Sequence, residues 1–243
     1  MDERLKTIAE NYDKMKISPD ETFRFHCKEC GKCCIHREDI LLSPNDLFRA
    51  AKELGLSVVG FYQQYCEGYI GQDSRIPIIR LLPQGSVRRC PLLKDHHCMI
   101  HKAKPSVCAM FPLGRGVALQ KNKAPEEQDI KIQYILQPPT CGDCSETHTV
   151  REWLASFGME VDDPIFLQWQ QFVMTAHDAI AELEKKLPRE EMRRFWNLLT
   201  YCTYLNYDTA KDFASQFGEN MSDARKLIIA YQKAVLGVAP DAG

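Results

Sequence analysis

Four cysteines fall within the short run Cys27-Lys-Glu-Cys30-Gly-Lys-Cys33-Cys34. A two-residue gap between cysteines lets a loop wrap so that both thiolates face one ion. The spacing recurs in structural zinc sites and in iron–sulfur ligation. Gly31 suits the tight turn that wrapping requires, because glycine accepts positive φ without steric cost. The intervening Lys28, Glu29 and Lys32 make the run a poor core element. Adjacent side chains diverge in most backbone conformations. Cys33 and Cys34 are therefore expected to serve two metals or to bridge one polynuclear cluster.

The partners this run lacks lie downstream. Cys90, Cys98 and Cys108 are separated by seven and nine residues, and Cys141-Gly-Asp-Cys144 repeats the two-residue gap. Cys27, Cys30, Cys33, Cys34, Cys90, Cys98, Cys108, Cys141 and Cys144 are nine candidate metal ligands, enough for two four-cysteine sites. Four thiolates suit zinc and an iron–sulfur cluster almost equally, so the expected cofactor is zinc or an iron–sulfur cluster, 4Fe–4S if iron. The opening imitates a bacterial ferredoxin run, but here the fourth cysteine follows at once and the proline follows Cys90. The radical-SAM spacing of three then two residues is absent.

The remaining cysteines and the histidines have plainer readings. Cys66 and Cys202 lie among apolar and aromatic residues that read as helices, where a buried thiol is expected. His26 and His36 flank the first run as surface or supporting groups. His96, His97 and His101 surround Cys98, and His101 is the best-placed substitute ligand. His148 and His177 read as structural.

Composition narrows the class of protein. The 243 residues are 44% hydrophobic and 26% charged, ordinary for a globular chain, with a net charge of −2. That charge gives no bulk reason to expect a nucleic acid or an anionic membrane as partner. The first residues show no apolar secretory segment, and no apolar run approaches the ~20 residues of a spanning helix. The chain is expected to be cytoplasmic. There, thiols stay reduced, and 11 cysteines favour metal ligation over a disulfide framework.

The layout predicts an α+β fold: a small, irregular, cysteine-rich α/β part followed by an all-helical part. The expected division is a metal-binding domain at residues 20–147 and a helical region at 148–238. Residues 1–16 read as a short helix or an arm, and Phe23 to His36 as irregular. Ser43, Pro44 and the stripe Leu47, Ala50, Ala51, Leu54 predict a helix ending at Gly55. A second is expected from Ser57 to about Tyr69. Ile76–Leu82, interrupted by Pro77, reads as an edge strand. Pro105 opens a helical turn, and Gly116–Gln120 and Ile130–Ile135 read as strands. Thr149-Val-Arg-Glu152 is a capping box for a helix stopping at Gly158. Asp163-Pro164 opens a long helix broken by Pro188. Glu191–Leu205, Asp208–Phe217 and Ser222–Leu236, closed by Gly237, complete the set.

The motif order resembles the YkgJ-type zinc/iron-chelating cysteine-cluster family. The resemblance rests on Phe25-His-Cys27-Lys-Glu-Cys30-Gly-Lys-Cys33-Cys34, then Cys90-Pro-Leu-Leu93, then Cys98-Met-Ile-His-Lys-Ala-Lys-Pro105-Ser-Val-Cys108-Ala-Met-Phe-Pro112. It covers roughly residues 23–145 and is distantly shared with flagellin lysine N-methylases. It implies ligands at Cys27, Cys30, Cys33, Cys34, Cys90, Cys98 and Cys108, with Cys141 or Cys144 as the eighth. Proteins of the family are often labelled iron–sulfur oxidoreductases. His101 stands where the family has Tyr, and Lys104-Pro105 where it has Arg-Pro; Lys keeps the charge but not the planar donor fork.

Three functions compete. A metal-binding module, structural or metal-transferring, needs only the cysteines. An iron–sulfur oxidoreductase or lysine-methyltransferase-like enzyme needs more, and the chain has no Gly-x-Gly-x-x-Gly run and no P-loop. An adaptor would use Phe166, Trp169, Phe172, Phe195, Trp196 and Tyr204 on the C-terminal helices to bind a protein partner, although packing of a helical core explains that stripe better.

Overall fold

A computed structural model describes residues 3–35, 40–119, 130–139 and 141–236. Gln120, Gly237 and His36, each given a role above, lie outside the described residues. The fold is α+β, with small antiparallel sheets in the cysteine-bearing part and helices towards the C-terminus. Among the described residues no helix is long and apolar enough to cross a membrane. The chain forms two compact units, residues 1–40 with 83–167 and residues 41–82 with 168–243.

The first unit is built on two pairings. Lys131–Leu136 is the middle strand of a sheet, flanked by Lys16–Ile17 and Leu113–Ala118. Thr22–His26 pairs with Asp143–Thr149, through an irregularity between Asp143 and Thr147. Thr22–His26 falls in the stretch read from sequence as irregular. Its two-residue period is carried by Phe23 and Phe25 alone, both buried between exposed neighbours, too short a signal beside the cysteines.

Those two phenylalanines enter the core of this unit with Met110, Leu113, Tyr134, Val150, Trp153 and Leu154. Trp153 meets Phe25 edge-on with ring centres 5.6 Å apart and Phe23 at 6.0 Å. Its indole N–H donates to the Met110 carbonyl (3.2 Å). The helix bearing Trp153, Val150–Ala155, starts at the expected capping box: Glu152 N–H donates to Thr149 Oγ1 (3.1 Å) while Glu152 accepts from Thr149 N–H (2.8 Å). The same core reaches both sides of the cysteine segments, since Phe25 leads into Cys27 and Met110 follows Cys108.

The second unit joins the helices Pro44–Glu53, Val58–Tyr65, Arg189–Thr200 and Phe213–Leu236, most of Pro164–Lys186, and a three-stranded sheet. Ser43 and Asp46 cap the first of these reciprocally, and Pro44 takes its first turn as predicted. Three expectations change. The second helix ends at Tyr65, and Cys66–Ile70 is a strand. Pro77–Leu81 is the centre of the sheet, between Leu41–Leu42 and Cys66–Ile70, not its edge. Pro77 is tolerated because it is the strand's first residue, where a missing N–H breaks little of the ladder. Asp208–Phe217 and Ser222–Leu236 are not separate helices; Phe213–Leu236 is continuous. Phe217, Met221, Ala224 and Ile228 form one buried stripe across Gly218 and Ser222, and that burial outweighs a glycine's cost of about 1 kcal/mol. Of the aromatic stripe, Trp169, Phe172, Phe195 and Tyr204 are buried.

Trp153→Ala is expected to lower the unfolding free energy by about 3–5 kcal/mol. Trp153→Phe keeps most of the packing and removes only the indole N–H, since the Met110 carbonyl still accepts the Leu113 N–H (2.8 Å), at about 0.5–1.5 kcal/mol. Denaturant titration checks both. A Trp153→Phe variant as stable as the parent chain would mean that the indole hydrogen bond contributes nothing, and a loss equal to that of Trp153→Ala would mean that the ring packing contributes nothing.

Candidate metal centre

All nine candidate ligands lie in the first unit, whereas Cys66 and Cys202 lie in the second. Cys66 is buried on its strand, and burial pushes its thiol up to about 12. Cys202 sits half-buried in the π-helical turn Tyr201–Leu205.

The first run leaves the strand Thr22–His26 at Cys27 and turns sharply. Gly31 takes φ of +69° and opens the 3-10 turn Lys32–Cys34, whose Cys34 N–H donates to the Gly31 carbonyl (2.9 Å). Gly31 also lies against Leu93, where an added Cβ would meet a methyl at 3.5 Å. Glu29 is held at φ of +50°, which a non-glycine residue adopts only under constraint.

The second group is pinned to the first through the backbone: Cys90 N–H donates to the Cys34 carbonyl (2.8 Å). Leu93–Lys94 and His97–Cys98 then form a hairpin whose turn residues Asp95 and His96 both have positive φ, +48° and +64°. A two-residue hairpin turn of that kind matches the strand twist, and it presents Cys98 opposite Leu93. Cys108 sits half-buried on the helical turn Ser106–Ala109, with its N–H donating to the Pro105 carbonyl (2.8 Å).

The third group arrives by a close backbone approach. Gly142 takes φ of +79°, and an added Cβ would stand 2.5 Å from the His26 carbonyl oxygen and 2.6 Å from the Phe25 ring. Lys28 pairs with Asp143 across this approach (2.8 Å), and the Lys28 ammonium together with Ser145 holds the Asp143 carboxyl well below the usual carboxylate range. Cys144, two residues beyond Gly142, is exposed on the strand.

The thiols sort into two adjoining groups. Cys141 lies within electrostatic range of Cys33, Cys30 and Cys27. Burial, then the charges those three would carry, push it up to about 11. Cys34 Sγ stands 4.0 Å from Cys33 Sγ, its carbonyl accepts the Cys90 N–H, and it lies within electrostatic range of Cys90 and Cys98. The Cys33 contact lowers the Cys34 pKa, but the hydrogen bond to Cys90, burial, and the charges of Cys90 and Cys98 together raise it to about 11. Cys98 is raised by burial, against the Ile100 N–H and Lys104, with Cys33 and Glu29 adding to the rise. Cys33 faces both groups.

The Cys33 and Cys34 sulfurs stand side by side, 4.0 Å apart. Their 4.0 Å separation is near the about 3.8 Å edge of a tetrahedron of sulfurs lying about 2.3 Å from zinc. Among the described residues no three His, Cys, Asp or Glu side chains already converge as a finished site. The donor set fits a thiophilic metal all the same, since soft thiolates in two packed groups are what zinc and iron–sulfur centres require. Such ligands close on the ion as it binds.

Residues 26–142 match the family model described as "Putative zinc- or iron-chelating domain", named for its CxxCxxCC motif. The YkgJ-type resemblance fits at that level, and the match supports metal binding by the domain. The matched segment contains Cys141 and stops short of Cys144. No curated protein and no solved structure matches the chain.

Gly142→Ala is expected to push Cys141 away from Cys27 and Cys30 and to lower metal content. Gly158→Ala, also at positive φ but with nothing within 4 Å, carries only backbone strain and should leave metal content unchanged. Metal analysis of the two purified variants checks this. Equal metal loss in both would remove the close-approach argument.

Proposed function

We propose that residues 26–142 are a metal-chelating module holding two neighbouring metal positions, or one polynuclear centre, joined at Cys33. The sorting of the thiols carries this reading. Cys27, Cys30, Cys33 and Cys141 form one group, and Cys34, Cys90 and Cys98 the other, with Cys108 as a further thiol of the domain. Cys141, rather than Cys144, is the ligand of the last pair, because it adjoins the close backbone approach at Gly142, lies within electrostatic range of Cys27, Cys30 and Cys33, and falls inside the matched domain.

When bound, the metal supplies folding free energy to an otherwise irregular segment, about 10–16 kcal/mol for structural zinc in small domains. The chain's own residues do the rest. Gly31 and Gly142 bring the backbone close, and the Cys90–Cys34 backbone bond holds the two runs together. Residues 83–119 carry Arg88, Arg89, Lys94, Lys102, Lys104 and Arg115 against the one acid Asp95, a net charge of +5 in a chain of net −2. That local surplus offsets the negative charge of a multi-thiolate centre.

Purified anaerobically without a tag, the chain is expected to carry zinc or iron. Cys30→Ser should lose at least one metal equivalent, and Cys202→Ser none. Matched iron and acid-labile sulfide with visible absorption would identify an iron–sulfur centre, and colourless protein with zinc a zinc module. Metal-free folded protein with freely titratable thiols, or equal loss from both variants, would overturn the assignment.

A further inference from the structure

A second kind of donor lies beside the Cys34, Cys90 and Cys98 group. His101 opens the 3-10 turn His101–Ala103, three residues after Cys98. The His101 side chain is partly exposed, but its Nε2 is covered and has no hydrogen-bond partner among the described residues. The Glu29 carboxylate stands 3.4 Å away, outside hydrogen-bond alignment. Covering a ring nitrogen without a hydrogen bond is unfavourable, which a fold sustains when the nitrogen has another use.

Four other histidines show what an ordinary role looks like here. His26 Nδ1 pairs with Glu146 (2.9 Å), and His148 Nε2 donates to the Phe25 carbonyl (3.1 Å). His97 Nδ1 donates to the Asp95 carbonyl (2.8 Å), and His177 Nδ1 pairs with Asp178 (2.7 Å). His101 differs from these in that its covered Nε2 has only the longer, 3.4 Å contact to Glu29 and no aligned hydrogen bond among the described residues. Cys98 and His101, three residues apart, both lie within electrostatic range of Glu29 and Lys104. The 3.4 Å contact of Glu29, itself at positive φ, sets the first cysteine loop beside His101.

Building on the metal-chelating reading, we propose that His101 Nε2 is a metal ligand, completing with Cys34, Cys90 and Cys98 a mixed sulfur–nitrogen position, with Cys108 outside the coordination sphere. A neutral imidazole nitrogen is a good ligand for zinc and for iron, and three thiolates with one imidazole is an established tetrahedral zinc set. The two metal positions then differ in kind. The group of Cys27, Cys30, Cys33 and Cys141 is all-thiolate. The His101 position carries one thiolate fewer, and so one less negative charge.

Cobalt(II) alone is the probe, added anaerobically to the full chain and to His101→Gln, His97→Gln and Cys108→Ser. His101→Gln is expected to shift the visible ligand-field bands and to weaken one of the bound cobalt equivalents by roughly tenfold or more. His97→Gln and Cys108→Ser should keep the wild-type bands. In the wild-type protein, zinc should move the 15N resonance of His101 Nε2 to a metal-bound position, a readout that does not depend on a variant folding. Cobalt uptake with unchanged bands in His101→Gln, band loss in Cys108→Ser instead, or a zinc-insensitive His101 resonance would overturn this inference and leave the metal-chelating reading standing. No cobalt uptake by the wild-type chain would overturn both.

Discussion

The backbone N–H of Cys90 donates to the carbonyl of Cys34, and most of what is distinctive in the first unit depends on that 2.8 Å bond. It joins two segments far apart in sequence at the point where each carries a thiol. Cys34 is presented on one side by a 3-10 turn that Gly31 makes possible. On the other, Cys90 leads into a tight hairpin that returns Cys98 to the same place. Shift that joint, and the second thiol group loses its relation to the first run while the rest of the core stays packed.

Beneath the joint, an aromatic core sets the positions of segments that contain little regular structure of their own. Phe25 packs on Trp153 and leads into Cys27, and Trp153 holds the Met110 carbonyl just beyond Cys108. The Phe25 ring and the His26 carbonyl also define the space that only a glycine fits at residue 142. Three of the cysteine segments are therefore placed by residues that ligate nothing. This follows from how metal sites assemble: the ion fixes the final geometry, while the polypeptide needs only to deliver donors within reach of it. It also explains why thiols that have not converged on a finished site still sort into two groups.

Much of this was legible in the sequence because it rests on local rules. The Ser43–Asp46 and Thr149–Glu152 caps, the proline openings at Pro44 and Pro164, and the cysteine spacings read directly. The errors came from long-range choices. Nothing local says that Pro77–Leu81 gains a strand on each side, or that Cys66–Ile70 leaves a helix to pair with it. The continuity of Phe213–Leu236 depends on burial by partners elsewhere in the chain, which a punctuating Gly218 conceals. Residues 41–82 packing with the C-terminal helices is likewise a property of the folded chain, since the family motif runs straight through them. At the site, the spacing gave the ligand types but not which thiols meet. The close approach at Gly142, which favours Cys141 over Cys144, has no signature beyond the glycine itself. The unpaired nitrogen of His101 becomes visible only once its neighbours are placed.

The central claim is that sulfur from this cysteine cluster surrounds the metal. X-ray absorption at the zinc or iron edge of the anaerobically purified chain measures that shell directly. A shell dominated by sulfur, at about 2.3 Å for zinc, is the result this account predicts. A shell of oxygen and nitrogen alone, at about 2.0–2.2 Å for zinc, would contradict it, because the metal would then be held by groups other than these thiols.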